Sequence, residues 1–217
     1  MAAYTPPLAD MRFVLRHIAG LEDVAALPGL EAASPDLVDT VLEEAGRLAA
    51  NVLAPLNRVG DIHGAVLENG VVRTAPGFKE AYRRFAEGGW MGLPFPEEHG
   101  GQNLPWLVAT AVAELWNAAN MTFQLCPLLT QGAIEALLHH GTPELKEIYA
   151  ARLISGEWTG TMCLTEPQAG SDVGALKTRA ERDGDRYRIR GTKIFITYGE
   201  HDLTDNIVHM VLARLPG

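Results

Sequence analysis

Up to about residue 155, apolar residues recur at the three- and four-residue spacing of amphipathic α-helices. Leu8, Met11, Leu15 and Ile18 form one such stripe, and Gly20 is placed to end the helix. Further helices are predicted at 34–52, 78–87, 104–119, 123–140 and 143–154. This part of the chain is therefore predicted to be an all-α domain, with Trp90, Trp106, Trp116 and Phe123 in its core.

Three local signals refine this helical pattern. Ser34-Pro35 is typical of an N-cap followed by a first helical turn, and Pro55 is expected to kink or end that helix. The segment 66–72 carries an Asn69-Gly70 pair between short apolar runs, which predicts a small β-hairpin inserted between helices.

The hydrophobic period changes after Glu157 from helical to strand-like. Strands are predicted at 158–165, 178–182, 186–190, 193–198 and 207–215, and the second and third of them flank an Asp-Gly-Asp turn. We therefore predict an α+β protein with two domains. Residues 1–156 form an N-terminal all-α helical domain, and residues 157–217 form the start of an antiparallel β-barrel-like middle domain.

Composition and charge narrow the functional class. The 217 residues carry a formal net charge of −9, which argues against nucleic-acid binding because that needs a basic surface. The two cysteines, Cys126 and Cys163, do not form a CxxC pair, so a disulfide framework is not expected. The N-terminus lacks the pattern of a signal peptide, and no apolar run is long enough to span a bilayer. A cytoplasmic protein is the expectation.

The segment 162–175, MCLTEPQAGSDVGA, concentrates small hydrogen-bonding residues and turn formers after an apolar strand. The Thr165 hydroxyl can donate and accept, and Gly170 can adopt a positive φ that exposes the amides of Ser171 and Asp172. Consecutive free amides of this kind can bind a phosphate. A plain structural turn explains the same composition, because these residues dominate turns in general.

Three motifs in the expected order resemble the acyl-CoA dehydrogenase flavoproteins. The pattern CLTE-x-x-AGSD-x-x-A at 163–175 resembles the signature of that family, and GTKIFITYG at 191–199 resembles its second flavin segment. GLPFPEEHGGQ at 92–102 resembles a loop between its early helices. The resemblance spans most of the chain. The N-terminal extension and the hairpin insert are similar to those of the large bacterial members.

The resemblance implies FAD as the cofactor and assigns roles within the first motif. Met162, Leu164 and Thr165 match positions that contact the flavin ring, with the Leu164 backbone and the Thr165 hydroxyl bonded to its pyrimidine end. Such donors stabilise the charge of reduced flavin. Ser171 matches a position near the FAD pyrophosphate and the pantetheine arm of the substrate. Met162 replaces an aromatic residue that many members carry.

The second motif carries the other cofactor contacts that the resemblance implies. Phe195, where many members have Trp, matches the aromatic residue on the flavin face away from the substrate. Ile196 matches a backbone contact to the flavin, and Thr197 matches the hydroxyl near flavin N5. Tyr198 replaces a frequent Asn.

The implied reaction is α,β-dehydrogenation of an acyl-CoA thioester, with electrons passed to an electron-transfer flavoprotein. The family places the catalytic Glu in a C-terminal helical domain, which is expected beyond residue 217. Glu166 is the alternative base within the chain, although the family pattern places it in the loop and away from the α carbon. A homodimer or homotetramer is implied, and no metal site is expected.

Two other functions remain open at this point. Related flavoproteins with the same fold are monooxygenases or nitroalkane oxidases, although their loop usually departs from the TEPQAGSD pattern. The chain could also be a truncated, non-catalytic protein that binds a partner.

Overall fold

A computed structural model describes residues 4–216, so residues 1–3 and 217 of the two predicted domains lie outside the described residues. Seven α-helices make up its N-terminal part. They are α1 (Leu8–His17), α2 (Leu21–Ala25), α3 (Pro35–Leu48), α4 (Ala54–His63), α5 (Phe78–Glu87), α6 (Trp106–His140) and α7 (Pro143–Ile154). The predicted hairpin follows α4 and consists of β1 (Val66–Glu68) and β2 (Val71–Arg73), paired antiparallel.

Side-chain caps explain why two of these helices begin where they do. The Ser34 hydroxyl accepts a hydrogen bond from the Leu37 amide at 3.3 Å, directly before Pro35 in the first turn of α3. The Thr142 hydroxyl accepts from the Leu145 amide at 3.4 Å at the start of α7. Each cap satisfies one amide that the helix itself leaves free.

Pro55 lies inside continuous helical backbone, so the prediction that it could end the helix is wrong. A π-helical turn, Ala49–Leu53, joins α3 to α4 directly before this proline. Proline lacks an amide proton and its ring crowds the preceding turn, and the wider π-helical turn accommodates both effects.

The long helix α6 is broken at Asn120, where φ is −159° and ψ is 87°. The Asn120 side chain is buried; its Oδ1 accepts from the Phe123 amide at 3.0 Å and its Nδ2 donates to the Leu53 carbonyl at 3.1 Å. Asn120 therefore caps the second half of α6 and joins it to the π-helical turn. The two helices predicted at 104–119 and 123–140 meet at this break.

The core of the helical part is aromatic. Phe85 packs edge-on against Trp116 at 5.0 Å between ring centroids and against Phe123 at 5.8 Å. All three rings are fully buried, as predicted for Trp116 and Phe123. The prediction for Trp106 is wrong, because its side chain is 47% exposed at the start of α6 and only its edge meets Phe95.

Four strands follow the helices, in two separate pairs. Strand β3 (Thr159–Cys163) pairs with β6 (Ile207–Val211), and β4 (Arg179–Asp183) pairs with β5 (Arg186–Arg190) across the predicted turn. The β3–β6 pair is parallel, in contrast to the antiparallel expectation. Parallel pairing is possible because the connection between these two strands is long. Among residues 4–216 these strands form no closed barrel.

The predicted strand at 193–198 is not formed. Phe195 and Tyr198 have φ values of 56° and 52°, in the left-handed region that non-glycine residues seldom adopt. Two such residues interrupt the alternation of an extended strand, so the β-branched and aromatic composition of this segment was misleading.

Strand β3 lies directly on helix α6. The Gly160 amide donates to the Thr130 hydroxyl at 3.0 Å, and that hydroxyl donates to the Cys126 carbonyl at 2.9 Å. A Cβ atom at Gly160 would lie 2.6 Å from the Ala133 Cβ, so only glycine permits this approach. The contact holds β3, and with it the start of the segment 162–175, in place against the helices. Within residues 4–216, no helix combines the length and apolar character needed to cross a membrane.

Candidate functional site

The predicted site begins at the end of β3, where the first motif leaves the sheet. Met162 lies on β3 and faces α6, since a Cβ at Gly132 would stand 3.7 Å from the Met162 Cγ. Leu164 and Thr165 follow the strand and are partly buried. A short turn comes next, because the amides and carbonyls of Glu166 and Ala169 bond to each other at 2.9 and 3.0 Å.

Glu166 is the centre of the loop and is only 3% exposed. Its Oε1 accepts from the Thr178 amide at 2.9 Å and from the Lys193 ammonium at 3.0 Å. Its Oε2 accepts from the Lys177 amide at 2.7 Å and from the Gln168 side chain at 2.6 Å. The carboxylate therefore closes the loop on itself and holds the second motif through Lys193.

These contacts keep the Glu166 carboxyl ionised. The Thr178 side chain and the amides of Lys177 and Thr178 lower the pKa of Glu166 far below its usual value, and Lys193 adds to this against the opposing effect of burial. The two amides bind the carboxylate directly at 2.7 and 2.9 Å, whereas the Thr178 hydroxyl makes no hydrogen bond of normal geometry. A carboxylate so occupied is unsuited to accept a proton from a substrate.

The two motifs are joined by three bonds that connect one segment to the other. The Ile194 amide donates to the Thr165 carbonyl at 3.0 Å. Lys193 donates to the Leu164 carbonyl at 2.8 Å as well as to Glu166. The structure thus brings Leu164 and Thr165 beside the segment that carries Phe195, Ile196 and Thr197.

Phe195 is the most exposed large apolar side chain among the described residues, at 89%. Its left-handed backbone turns the ring away from the protein, whereas Ile196 and Thr197 are partly buried. Strained backbone that the surrounding bonds hold in place is typical of functional sites. An apolar ring held out in this way is a surface on which a planar ligand can pack.

Ser171 lies apart from these contacts. It is exposed, and its side chain makes no hydrogen bond to any residue of the described range 4–216. A short helical turn, Val173–Ala175, follows it and returns the chain toward the Glu166 carboxylate. Ser171 therefore lies at the outer edge of the loop, where its hydroxyl is open to a ligand.

Lys193 was missed by the sequence reasoning, although it occupies the third position of the second motif. Its side chain is 10% exposed and pairs with Glu166. A lysine at the third position of the flavin-segment pattern was the signal available. Its partner could not be read from the sequence, because 27 positions separate the two residues.

His201 was also missed and anchors the end of the second motif. It is buried, its Nδ1 accepts from the Leu203 amide at 3.1 Å, and its Nε2 lies 3.0 Å from the Thr159 hydroxyl. Because Nδ1 is an acceptor, the neutral ring carries its proton on Nε2. Burial lowers the pKa of His201. The nearby His209 lowers it further, whereas Glu200 and Asp202 act in the opposite direction.

Two family models match the chain. The N-terminal domain of acyl-CoA dehydrogenases matches residues 39–157, more than half of the chain, and the middle domain of the same enzymes matches residues 161–216. The second match contains both motifs of the candidate site.

Curated relatives agree with this assignment. The chain is 48% identical over 214 residues to 3-methylmercaptopropionyl-CoA dehydrogenase of Ruegeria pomeroyi, covering 98% of this chain and 36% of the relative. It is 37% identical over 187 residues to a butyryl-CoA dehydrogenase of Syntrophomonas wolfei, covering 83% of this chain and 30% of the relative. The chain thus spans about a third of the length of these relatives.

A solved structure shares the fold. An acyl-CoA dehydrogenase from Bacillus anthracis, determined in complex with FAD, superposes with a TM-score of 0.69 at 23% identity, covering 83% of this chain and 29% of that one. A helical N-terminal domain followed by a small sheet region is therefore confirmed as the architecture, and the chain belongs to the acyl-CoA dehydrogenase family.

Proposed function

We propose that this chain forms the FAD-contacting and substrate-contacting part of an enzyme that catalyses α,β-dehydrogenation of an acyl-CoA thioester. The observation that carries the proposal is the junction of the two motifs, in which the Ile194 amide bonds to the Thr165 carbonyl. It places the two hydroxyls that the family resemblance assigns to the flavin, Thr165 and Thr197, on adjoining segments. The activity is proposed for the whole enzyme, since the chain spans 36% of the R. pomeroyi relative.

The residues present fit a flavin. The exposed ring of Phe195 offers an apolar face, and the loop 165–175 offers polar side chains, with Ser171 and Asp172 exposed. When bound, FAD supplies the acceptor for the hydride that leaves the β carbon of the substrate.

Each predicted site residue has a defined task in this proposal. Leu164, through its backbone, and Thr165, through its hydroxyl, bind the pyrimidine end of the ring, and Met162 provides an apolar contact. Ser171 binds near the pyrophosphate and the pantetheine arm of the substrate, which its exposed position at the loop edge supports.

The second motif orients the other side of the cofactor. Phe195 packs on the face away from the substrate, Ile196 contributes a backbone contact, and the Thr197 hydroxyl lies near N5. The left-handed backbone at Phe195 supports this arrangement, because it separates the outward ring from its partly buried neighbours.

The α-proton base is proposed to be a Glu from the part of the family's chain that follows residue 217. Glu166 is unsuitable because its carboxylate is buried in an ion pair with Lys193 and is held ionised. We further propose that electrons pass to an electron-transfer flavoprotein and that the enzyme is a homodimer or homotetramer, as the family resemblance implies. A cytoplasmic location is proposed from the sequence pattern alone.

The test is the absorbance spectrum of the purified chain after incubation with FAD and removal of unbound cofactor. We expect a retained flavin band that weakens in Thr165→Ala and Thr197→Ala, since each lost hydrogen bond costs about 1 kcal/mol. Thr192→Ala is the matched control, because Thr192 is exposed in the same segment and has no proposed contact. Unchanged flavin content in both variants would refute the placement of these hydroxyls.

A further inference from the structure

Arginines are concentrated on the β4–β5 hairpin, although the chain as a whole is acidic. Residues 177–190 contain six basic and three acidic residues, a net charge of +3, in a chain whose formal net charge is −9. Side chains alternate between the two faces of a strand, and directly paired residues share a face. Strand β5 therefore presents Arg186, Arg188 and Arg190 on one face, and all three are exposed.

The acidic residues of the hairpin neutralise only the end of this face that lies near the turn. Asp183 lies opposite Arg186 in the register and forms an ion pair with Arg188 at 2.6 Å. At the other end, Arg190 lies opposite Arg179, so two like charges meet on neighbouring strands. Like charges directly opposite each other are destabilising, and a bound counter-charge would relieve them.

A third arginine extends this pair into a row. Arg214 forms a parallel bridge with Arg179, in which its amide donates to the Thr178 carbonyl at 2.8 Å and its carbonyl accepts from the Ala180 amide at 2.9 Å. Arg190, Arg179 and Arg214 thus project from the same face of three neighbouring segments, and we call them the arginine row. Within residues 4–216, none of the three forms an ion pair with a carboxylate.

The arginine row adjoins the loop of the first motif. The Arg214 guanidinium donates to the Leu176 carbonyl at 2.9 Å and to the Gly174 carbonyl. These carbonyls lie in and directly after the helical turn Val173–Ala175, which follows Ser171 closely in the chain. One end of the row is therefore anchored to the loop whose outer edge carries Ser171.

The chemistry of the row fits a phosphate group. A guanidinium presents its N–H donors in a planar fork that can bind two phosphate oxygens at once. Arg179 and Arg190 are exposed, and neither side chain makes a hydrogen bond to another described residue, so their donors are available. A phosphate monoester carries up to two negative charges and three terminal oxygens, enough to engage more than one arginine.

We propose that the arginine row, Arg179, Arg190 and Arg214, binds a phosphate monoester. The same chemistry has two sources, the ribose 3′-phosphate of the CoA moiety or a free phosphate compound. The CoA source rests on the proposed function, because it takes the substrate to pass Ser171 at the loop edge. The anion site itself, and binding to it, do not depend on bound flavin or on catalysis.

The first experiment titrates the chain with adenosine 3′,5′-bisphosphate and with inorganic phosphate by calorimetry at low ionic strength. Arg179→Gln and Arg190→Gln should each weaken binding about tenfold or more, because charge-assisted hydrogen bonds are lost. Arg182→Gln is the matched control, since it removes the same charge from the opposite face of β4 and should change the affinity little.

The second experiment distinguishes the two sources by comparing CoA with dephospho-CoA, which lacks the 3′-phosphate. Tighter binding of CoA, with the difference abolished in Arg190→Gln, assigns the site to the CoA moiety. Equal binding of CoA and dephospho-CoA, with inorganic phosphate still bound through Arg190, assigns it to a free phosphate compound.

Thermal unfolding separates anion binding from a structural role of the row. Without phosphate, Arg190→Gln should keep or raise the melting temperature, because it relieves the like-charge pair with Arg179. Added phosphate should raise the melting temperature of the unmodified chain, since a ligand of the folded state stabilises it, and should raise that of Arg190→Gln less. A merely structural role would instead lower the melting temperature of the variant when no phosphate is present.

Two results would overturn the inference. One is failure of the unmodified chain to bind either adenosine 3′,5′-bisphosphate or inorganic phosphate. The other is an equal loss of affinity in Arg182→Gln and Arg190→Gln, which would show attraction to the overall charge and not to the row. Retention of FAD, measured separately by absorbance, reports on the proposed function alone. A chain that retains FAD but shows either result keeps the proposed function and loses the phosphate site.

Discussion

Glu166 joins three parts of the chain through one carboxylate. It accepts hydrogen bonds from two backbone amides at the end of its own loop, from the side-chain amide of Gln168 and from the ammonium group of Lys193 in the second motif. Its burial in an ion pair means that either partner left alone would be a buried, uncompensated charge. Its role in the fold is therefore separate from the chemistry proposed for its neighbour Thr165.

We expect Glu166→Gln to lower the melting temperature by several degrees or more, because Lys193 would lose its charged partner while remaining buried. Thermal unfolding followed by circular dichroism measures the change. Glu157→Gln is the control, because Glu157 pairs with Arg152 at the exposed surface and should matter little. Equal melting temperatures for the two variants would show that the buried ion pair stabilises the protein no more than the exposed one.

The contribution of Glu166 to stability changes with pH in a definite direction. The native pKa of Glu166 is lowered from 4.5, so its contribution to stability is present above pH 4.5 and is lost as the pH falls toward the lowered native value. Urea unfolding between pH 6 and pH 3 should therefore show a steeper loss of stability in the unmodified chain than in Glu166→Gln. Parallel curves would contradict this.

His201 titrates in a different window. Its native pKa is lowered from 6.5, so the unfolded chain takes up the proton first, and the free energy of unfolding falls as the pH drops below about 6.5. His201→Asn should reduce this slope between pH 8 and pH 5.5 in urea unfolding. A difference in the free energy of unfolding between the two proteins that is the same at every pH would contradict this role of His201.

At the scale of elements, two glycines lie where β3 packs on α6, and the space beside them differs. A Cβ at Gly160 would stand 2.6 Å from the Ala133 Cβ, whereas one at Gly132 would stand 3.7 Å from the Met162 Cγ. The first distance is a clash between a strand and a helix, and the second is an ordinary contact. One face of the same interface is therefore intolerant of a methyl group and the other is not.

We expect Gly160→Ala to destabilise the protein by about 1–3 kcal/mol, because the strand must move off the helix or strain its neighbours. Gly132→Ala should be neutral or stabilising by up to about 1 kcal/mol, since alanine favours the helix. Urea unfolding of both variants measures the difference. Similar free energies of unfolding would mean that β3 adjusts its position freely.

At the scale of the whole molecule, bonds between distant segments tie the helices to the strand region. The Gly160 amide reaches Thr130, the Tyr198 hydroxyl reaches Thr122, and Asp202 accepts from the Thr74 amide and hydroxyl at 3.0 and 2.7 Å. These bonds link α6 and the end of the hairpin to β3 and to the loop after the second motif. The domain boundary between residues 156 and 157 stays a prediction.

We expect the helices and β3 to unfold in one cooperative transition. Hydrogen exchange of β3 amides should report the same free energy as exchange of core amides in α6, and this should match urea unfolding followed by far-UV circular dichroism. Exchange of the β3 amides at a much lower free energy than that of the α6 amides would contradict a single cooperative transition.

Local chemistry determined what the sequence alone could predict. Helix periodicity, the cap at Ser34, the Asn69-Gly70 turn and the Asp-Gly-Asp turn act over a few residues, so each could be read from its neighbours. The motifs likewise led to the correct family. The roles assigned to Met162, Leu164, Thr165, Ser171, Phe195, Ile196 and Thr197 stay predictions.

Tertiary structure decided the rest, because it depends on residues far apart in the chain. A strand was predicted at 193–198, but the backbone is left-handed at Phe195 and Tyr198. Hydrogen bonds to the carbonyls of Thr165 and Thr122 hold this segment. The ion pair of Glu166 with Lys193 and the parallel pairing of β3 with β6 need partners that no local pattern specifies. The sequence by itself determined the elements and the family, and packing between distant elements determined how the two motifs form one site.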